Sequence, residues 1–267
     1  MKFHWMDRGD NSKLNLLSQL SAKLDSVGYE SLLLVYHAKM RDHWIKAARV
    51  LDVNHRIKYM PAIRTYAITP EYASMMARAF KEISPNRLAL NIVSGDIHAD
   101  ENSVENMIWF GEDLATPEQR LEYTDEWMQK FVELCGENLP DIVMGGHADK
   151  TKRMADKYNA THLSMLDMYL NEYKNDNFYH NKKQMVAVCV VVRSTDEEAE
   201  NFLSLPCEGW NRNWTVSGSP ETVKARLMDL ENIGVTDIII NAHPNDDQID
   251  LVHNTIGELI RSNNGVS

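Results

Sequence analysis

From end to end the chain alternates short apolar, β-rich runs with amphipathic helical stretches, and no other feature constrains the fold as strongly. The runs are "FHWM" (3–6), "SLLLVY" (31–36), "RIKYMPAIRTY" (56–66), "NRLALNIVSGD" (86–96), "PDIVMGG" (140–146), "ATHLSM" (160–165), "QMVAVCVVVR" (184–193) and "VTDIIINAH" (235–243). Between them lie helical patterns. Leu16, Leu17, Leu20 and Leu24 recur at helical spacing before a stop at Gly28. Asp42 is placed to cap "HWIKAARVLD", and Thr69, Thr116 and Ser219 each stand before a proline at the first helical position. Thr116 and Gln119 have capping-box spacing. Strands that are apolar on both faces belong to a parallel sheet, and eight strand–helix units in about 250 residues predict a (β/α)8 barrel. A doubly wound open sheet is the alternative, but no G-x-G-x-x-G follows the first strand. No linker, repeat or low-complexity stretch interrupts residues 1–267, so a single domain is expected.

Composition removes several functions. A formal net charge of −11 argues against nucleic acid as a partner, because phosphate backbones need clustered Lys and Arg. No apolar run approaches the roughly 20 residues of a membrane helix, and "MKFHWMDRGD" has no signal-peptide character, so a soluble cytoplasmic protein is expected. The three cysteines share no metal-type spacing and are odd in number, which fits a reducing compartment.

In a (β/α)8 barrel the chemistry gathers where strands end at the C-terminal face. The candidates there are Asp7, Arg8, Tyr36, His37, Met40, Arg64, Tyr66, Asn91, Ser94, Gly95, Asp96, Gly145, Gly146, His147, Cys189, Asn241 and His243. "MGGHADK" joins a strand to a helix through two glycines. Such a turn can cradle an anion with free N–H groups and a positive helix end, or can be only a tight βα turn with a surface histidine. The ten histidines are isolated, with no H-x-H or H-E-x-x-H pair, so no metal site is expected. There is no G-x-S-x-G elbow, and mid-strand Cys189 reads as buried and inert.

Several stretches together resemble the bacterial luciferase-like flavin-dependent monooxygenases, nearest the alkanesulfonate monooxygenase branch. They are "ITPEYASMMARAFKEISPNRLALNIVSGD" (68–96), "MGGHAD" (144–149), "VVRSTDEEA" (191–199) and "SGSPETVKARLMDLENIGVTDIIINAHP" (217–244). The resemblance implies a luciferase-like barrel that takes reduced FMN as co-substrate from a separate flavin reductase. A C4a-peroxyflavin formed with O2 would then oxidise a small organic substrate. It places the flavin ring near Ile63, Asn91, Val93 and Ser94 and the phosphate at Gly145, Gly146 and His147. It leaves His37 and His243 as the imidazoles able to move a proton. It also implies a homodimer or higher homo-oligomer, with the methionines of "ASMMARAFKEI" (73–83) as one candidate face.

The chain departs from that branch in ways that matter. His147 and Ala148 stand where phosphate-binding serines are usual, and Leu121 stands where a tyrosine is. Three lost hydrogen bonds at roughly 0.5–1.5 kcal/mol each would weaken FMN binding by about one to three decades. Met40, Ala187, Cys189 and His243 replace the branch's cysteine, arginine, histidine and tyrosine, and only "SLPCEGWNRNWT" (204–215) remains of the loop that closes over substrate. The expected activity is therefore a monooxygenase without sulfonate preference. The alternatives are a non-catalytic flavin-binding protein and a deazaflavin-dependent oxidoreductase.

Overall fold

The computed structural model describes residues 1–7, 14–36, 42–95, 116–172, 183–205, 212–243 and 246–263. Nine strands are formed among them: β1 (Lys2–Asp7), β2 (Ser31–Leu34), β3 (Lys58–Arg64), β4 (Ala89–Val93), β5 (Asp141–Gly145), β6 (Thr161–Met165), β7 (Gln184–Val192), β8 (Thr215–Gly218) and β9 (Asp237–Ala242). The helices are α1 (Leu14–Val27), α2 (His43–Val50), α3 (Pro70–Ile83), α4 (Pro117–Cys135), α5 (Asp149–Lys157), α6 (Leu166–Glu172), α7 (Asp196–Leu203), α8 (Pro220–Asn232) and α9 (Ile249–Asn263). Hydrogen bonding orders the strands β6-β5-β4-β3-β2-β1-β9-β7-β8, with β6 also pairing β7. This is the order of a (β/α)8 barrel with β8 as an additional strand. The sequence pattern gives the other eight and misses β8, whose four residues run parallel to Cys189–Val192.

The expected caps all form. The Asp42, Thr69 and Ser219 side chains accept backbone N–H groups of α2, α3 and α8, and Thr116 and Gln119 close a full capping box on α4. All nine residues of β7 are buried, as a central parallel strand requires. Among the described residues no helix is long and apolar enough to cross a membrane.

The chain divides into two compact units, and neither is a contiguous stretch. One comprises residues 7–21 and 33–162, and its polar centre lies between helices and strands. The Tyr59 hydroxyl sits 2.7 Å from Ser21 Oγ, 2.9 Å from Val50 O and 3.0 Å from Asn54 Oδ1. The buried Arg87 guanidinium donates to the carbonyls of Leu51, Asn54 and Ile57 and to Asn54 Oδ1. Tyr59 thus marks the helix-facing side of β3.

The other unit comprises residues 1–6, 22–32 and 163–267. There His4 bridges Ser31 Oγ (2.6 Å) and Asp237 Oδ1 (2.9 Å), tying β1, β2 and β9 together by side chains. Trp5 packs on His253 of α9, with ring centroids 4.5 Å apart, and Tyr29 meets both edge-on. Burial, with Lys23 nearby, lowers the His253 pKa from 6.5 to about 4. Between those values the unfolded chain binds the proton and the folded chain does not, so stability is full above pH 6.5 and falls as pH drops towards 4. The loss from this residue is on the order of 3 kcal/mol. Urea titrations from pH 7 to 4 are expected to show it, and to show a shallower acid limb for His253→Phe; parallel limbs would refute the assignment.

Candidate functional site

Side chains alternate along β3, β4 and β5, and register joins the alternation across the three strands. Ala62, Asn91 and Val143 form one row, and Arg64, Val93 and Gly145 form the row beyond it. Both rows face away from the helices, because Tyr59, on the opposite parity of β3, contacts α1 and α2. Ile63 shares the Tyr59 face. Its side chain is buried in the core.

Asn91 is the most informative residue of this unit. It is 5% exposed, lies between Leu90 and Ile92, and its Oδ1 accepts no hydrogen bond among the described residues. Such buried acceptors are few in folded proteins because each costs roughly 1–3 kcal/mol. Beyond it, β4 ends at Val93, followed by Ser94 and Gly95. Gly95 has φ +113°, and a Cβ there would lie 3.2 Å from Arg120 of α4 and 3.7 Å from the Tyr66 ring. The run therefore stops at a glycine because the chain turns into a left-handed conformation under an arginine and a tyrosine.

The turn after β5 is built with comparable constraint. Gly146 has φ +144°, and a Cβ on it would lie 3.1 Å from Thr151 Oγ1. Helix α5 begins at Asp149 with Ala148 as its N-cap and no side-chain cap, in contrast to α2, α3, α4, α7 and α8. The Gly146 carbonyl accepts a hydrogen bond from Nε2 of buried His162, at 2.7 Å. Lys152, on the next turn of α5, is also buried. Sequence reading finds the glycines and His147 but not His162 or Lys152. The signal for Lys152 is its place three residues after the helix start, where a side chain points back towards the N-terminus.

Around the ends of β1 and β2 the same unit holds ionisable groups in apolar surroundings. Asp7, the last residue of β1, pairs with Lys46 of α2 at 2.6 Å, both nearly fully buried. Burial pushes the Tyr36 hydroxyl up to about 12, and the Tyr36 ring meets His43 edge-on. Burial holds the His43 pKa down at about 4, so this imidazole is neutral at physiological pH. His37, Met40, Arg8 and Asp96 lie outside the described residues.

In the other unit, Trp5 and Ile240 are register partners on the face turned to α9. Cys189 and Asn241, also partners, occupy the opposite face, with Arg193 and His243 further along on the same parity. Phe202 and Leu203 of α7 pack against Cys189 and Val191, so that cysteine is buried, as expected of its mid-strand position. Arg193 donates to Asp246 and Asp247 and stacks 3.9 Å over the Phe202 ring. Phe202 meets buried His243 edge-on at 4.9 Å. Asn241, like Asn91, is buried with an unpaired Oδ1.

Each unit thus carries an orphaned amide and a buried imidazole near the ends of its strands on a (β/α)8 frame, and comparison assigns that frame to a family. The luciferase-like monooxygenase family matches residues 1–203, and the chain belongs to that family. Its structure is similar to EDTA monooxygenase from Chelativorans sp. BNC1 (TM-score 0.78, 12% identity, covering 98% of this chain and 94% of that one). It is similar to the oxygenating constituent of 3,6-diketocamphane monooxygenase of Pseudomonas putida, in complex with FMN (TM-score 0.73, 14% identity, 98% and 97% covered). It is similar too to the coenzyme F420-dependent tetrahydromethanopterin reductase of Methanopyrus kandleri (TM-score 0.72, 14% identity, 96% and 97% covered).

Proposed function

We propose that this protein is a flavin-dependent monooxygenase that takes reduced FMN from a separate reductase and oxidises a small organic substrate with O2. The observation that carries the reading is Asn91, a buried amide with an orphaned acceptor at the strand end where family resemblance puts a flavin ring. An Asn91 Oδ1 that accepts a ring N–H has its missing partner supplied. Ser94 and the Val93 face orient the same ring, and the backbone amides from Gly145 to His147 hold the phosphate. When bound, reduced flavin supplies the electrons that activate O2. The protein's own tasks are orientation, exclusion of water and proton handling.

His243 and His37 are assigned the proton-moving role, since a neutral imidazole carries both a proton donor and a proton acceptor. Phe202 shields His243 from water. The homodimer implied by the resemblance would use exposed Tyr72, Met75 and Ile83 of α3. Oxygen uptake with photoreduced FMN and a panel of aldehydes, ketones and sulfonates tests the activity. His243→Ala is expected to lower kcat by about 100-fold while FMN affinity holds; unchanged turnover would remove the residue from the mechanism. The F420-dependent relative favours a second reading, a deazaflavin in the same position, which the same uptake assay separates because hydride transfer to substrate consumes no oxygen.

A further inference from the structure

We infer that His162 is a positioning residue for the phosphate turn, fixing the direction in which the His147 amide points. Four observations on one unit carry this. The His162 imidazole is 1% exposed at the start of β6. Its Nε2 lies 2.7 Å from the Gly146 carbonyl oxygen, and a carbonyl only accepts, so Nε2 carries a proton and donates it. Gly146 sits at φ +144°, a conformation open to glycine and rarely adopted by other residues, so glycine lets the turn present its carbonyl to His162. Among the described residues no peptide bond is cis.

The consequence follows from peptide geometry. The Gly146 carbonyl and the His147 N–H belong to one planar trans unit and point in opposite directions. Anchoring the oxygen on His162 therefore aims the His147 N–H away from β6 and fixes it one residue before Ala148, where α5 starts without a side-chain cap. A Cβ on Gly146 would lie 3.1 Å from Thr151 Oγ1, so the turn is closely packed on its α5 side. A turn that has lost hydroxyl donors on the sequence level keeps an oriented amide by a bond from below. The imidazole itself does not touch the anion. The identity of the anion as a cofactor phosphate rests on the flavin reading above, whereas the orientation of the amide does not.

The test compares wild type, His162→Ala and His162→Gln, the last retaining a side-chain N–H donor. Equilibrium titrations with reduced FMN and with reduced riboflavin, which lacks the phosphate, are made on each. The expected result is that His162→Ala loses about ten-fold or more in FMN affinity with riboflavin affinity unchanged, and that His162→Gln recovers most of the loss. If both affinities fall alike, or glutamine does not rescue, the residue is merely structural and the inference is wrong. A second readout, the 15N–1H shift of the His147 amide on adding inorganic phosphate, needs no flavin. A response in wild type and His162→Gln but not in His162→Ala supports the inference even where wild type binds FMN no better than riboflavin, a result that would sink the flavin reading alone. An equal response in His162→Ala overturns it.

Discussion

Arg87→Ala is expected to cost about 4 kcal/mol of folding free energy and to leave much of the chain unfolded at 37 °C. The guanidinium is 8% exposed and serves as the common donor for four acceptors: Leu51 O, Asn54 O, Ile57 O and Asn54 Oδ1, at 2.6–3.1 Å. It also lies over the Tyr59 ring. Removing it leaves three main-chain carbonyls and an amide oxygen buried without it, each carrying a desolvation cost of roughly 1–3 kcal/mol that relaxation and water only partly offset. Lysine is not a substitute, because one ammonium cannot reproduce a planar fork that reaches four oxygens in different directions. Arg87→Lys should recover less than half of the loss. Urea denaturation of wild type and both variants gives the answer, and a shift under 1 kcal/mol for Arg87→Ala would mean that the network is not what joins β3, β4 and the segment after α2.

Lys46→Met is expected to destabilise by about 3–5 kcal/mol, because it strands the Asp7 carboxylate at the end of β1 with its cation gone. The pair is short, and its side chains are only 7% and 3% exposed. Coulomb attraction within such a pair roughly balances the cost of burying both charges, whereas one charge left alone keeps only the cost. The double variant Asp7→Leu/Lys46→Met should therefore recover at least half of the lost stability. If the two single changes simply add in the double, the residues are not coupled and the ion pair contributes nothing specific. Because Asp7 lies at the strand ends where the barrel's chemistry gathers, oxygen-uptake activity of the double variant separates a structural pair from one the reaction needs.

Much of the fold is written locally and was therefore legible. Thr69-Pro70, Thr116 with Gln119, and Ser219-Pro220 mark helix starts through hydrogen bonds made within four residues, and all three form. Strand β8 escapes because "TVSG" is four residues long with no distinct period, and it becomes a strand only through pairing with β7. The site divides in the same way. Gly146 and Gly95 announce themselves as glycines at strand ends, and their positive φ angles bear that out. Arg87, Lys46 and His162 look in sequence like a surface arginine before a strand, a solvated lysine on a helix and a strand histidine. Their importance comes from partners 30 or more residues away, or 16 in the case of His162, and no local pattern encodes those distances. Ile63 is a simpler case: family resemblance places it near the flavin, and the direction of its side chain, on the Tyr59 face of β3, is legible only from the strand's parity in the fold.

The most direct measurement is an anaerobic titration of the purified protein with FMN, oxidised and then photoreduced, followed by absorbance and by flavin fluorescence. The expected result is micromolar or tighter binding of the reduced form, weaker binding of the oxidised form, and loss of most of that affinity in Asn91→Leu, whose side chain matches the volume but offers no acceptor. Absence of binding by either form would contradict the flavin assignment and leave a deazaflavin as the cofactor to titrate next.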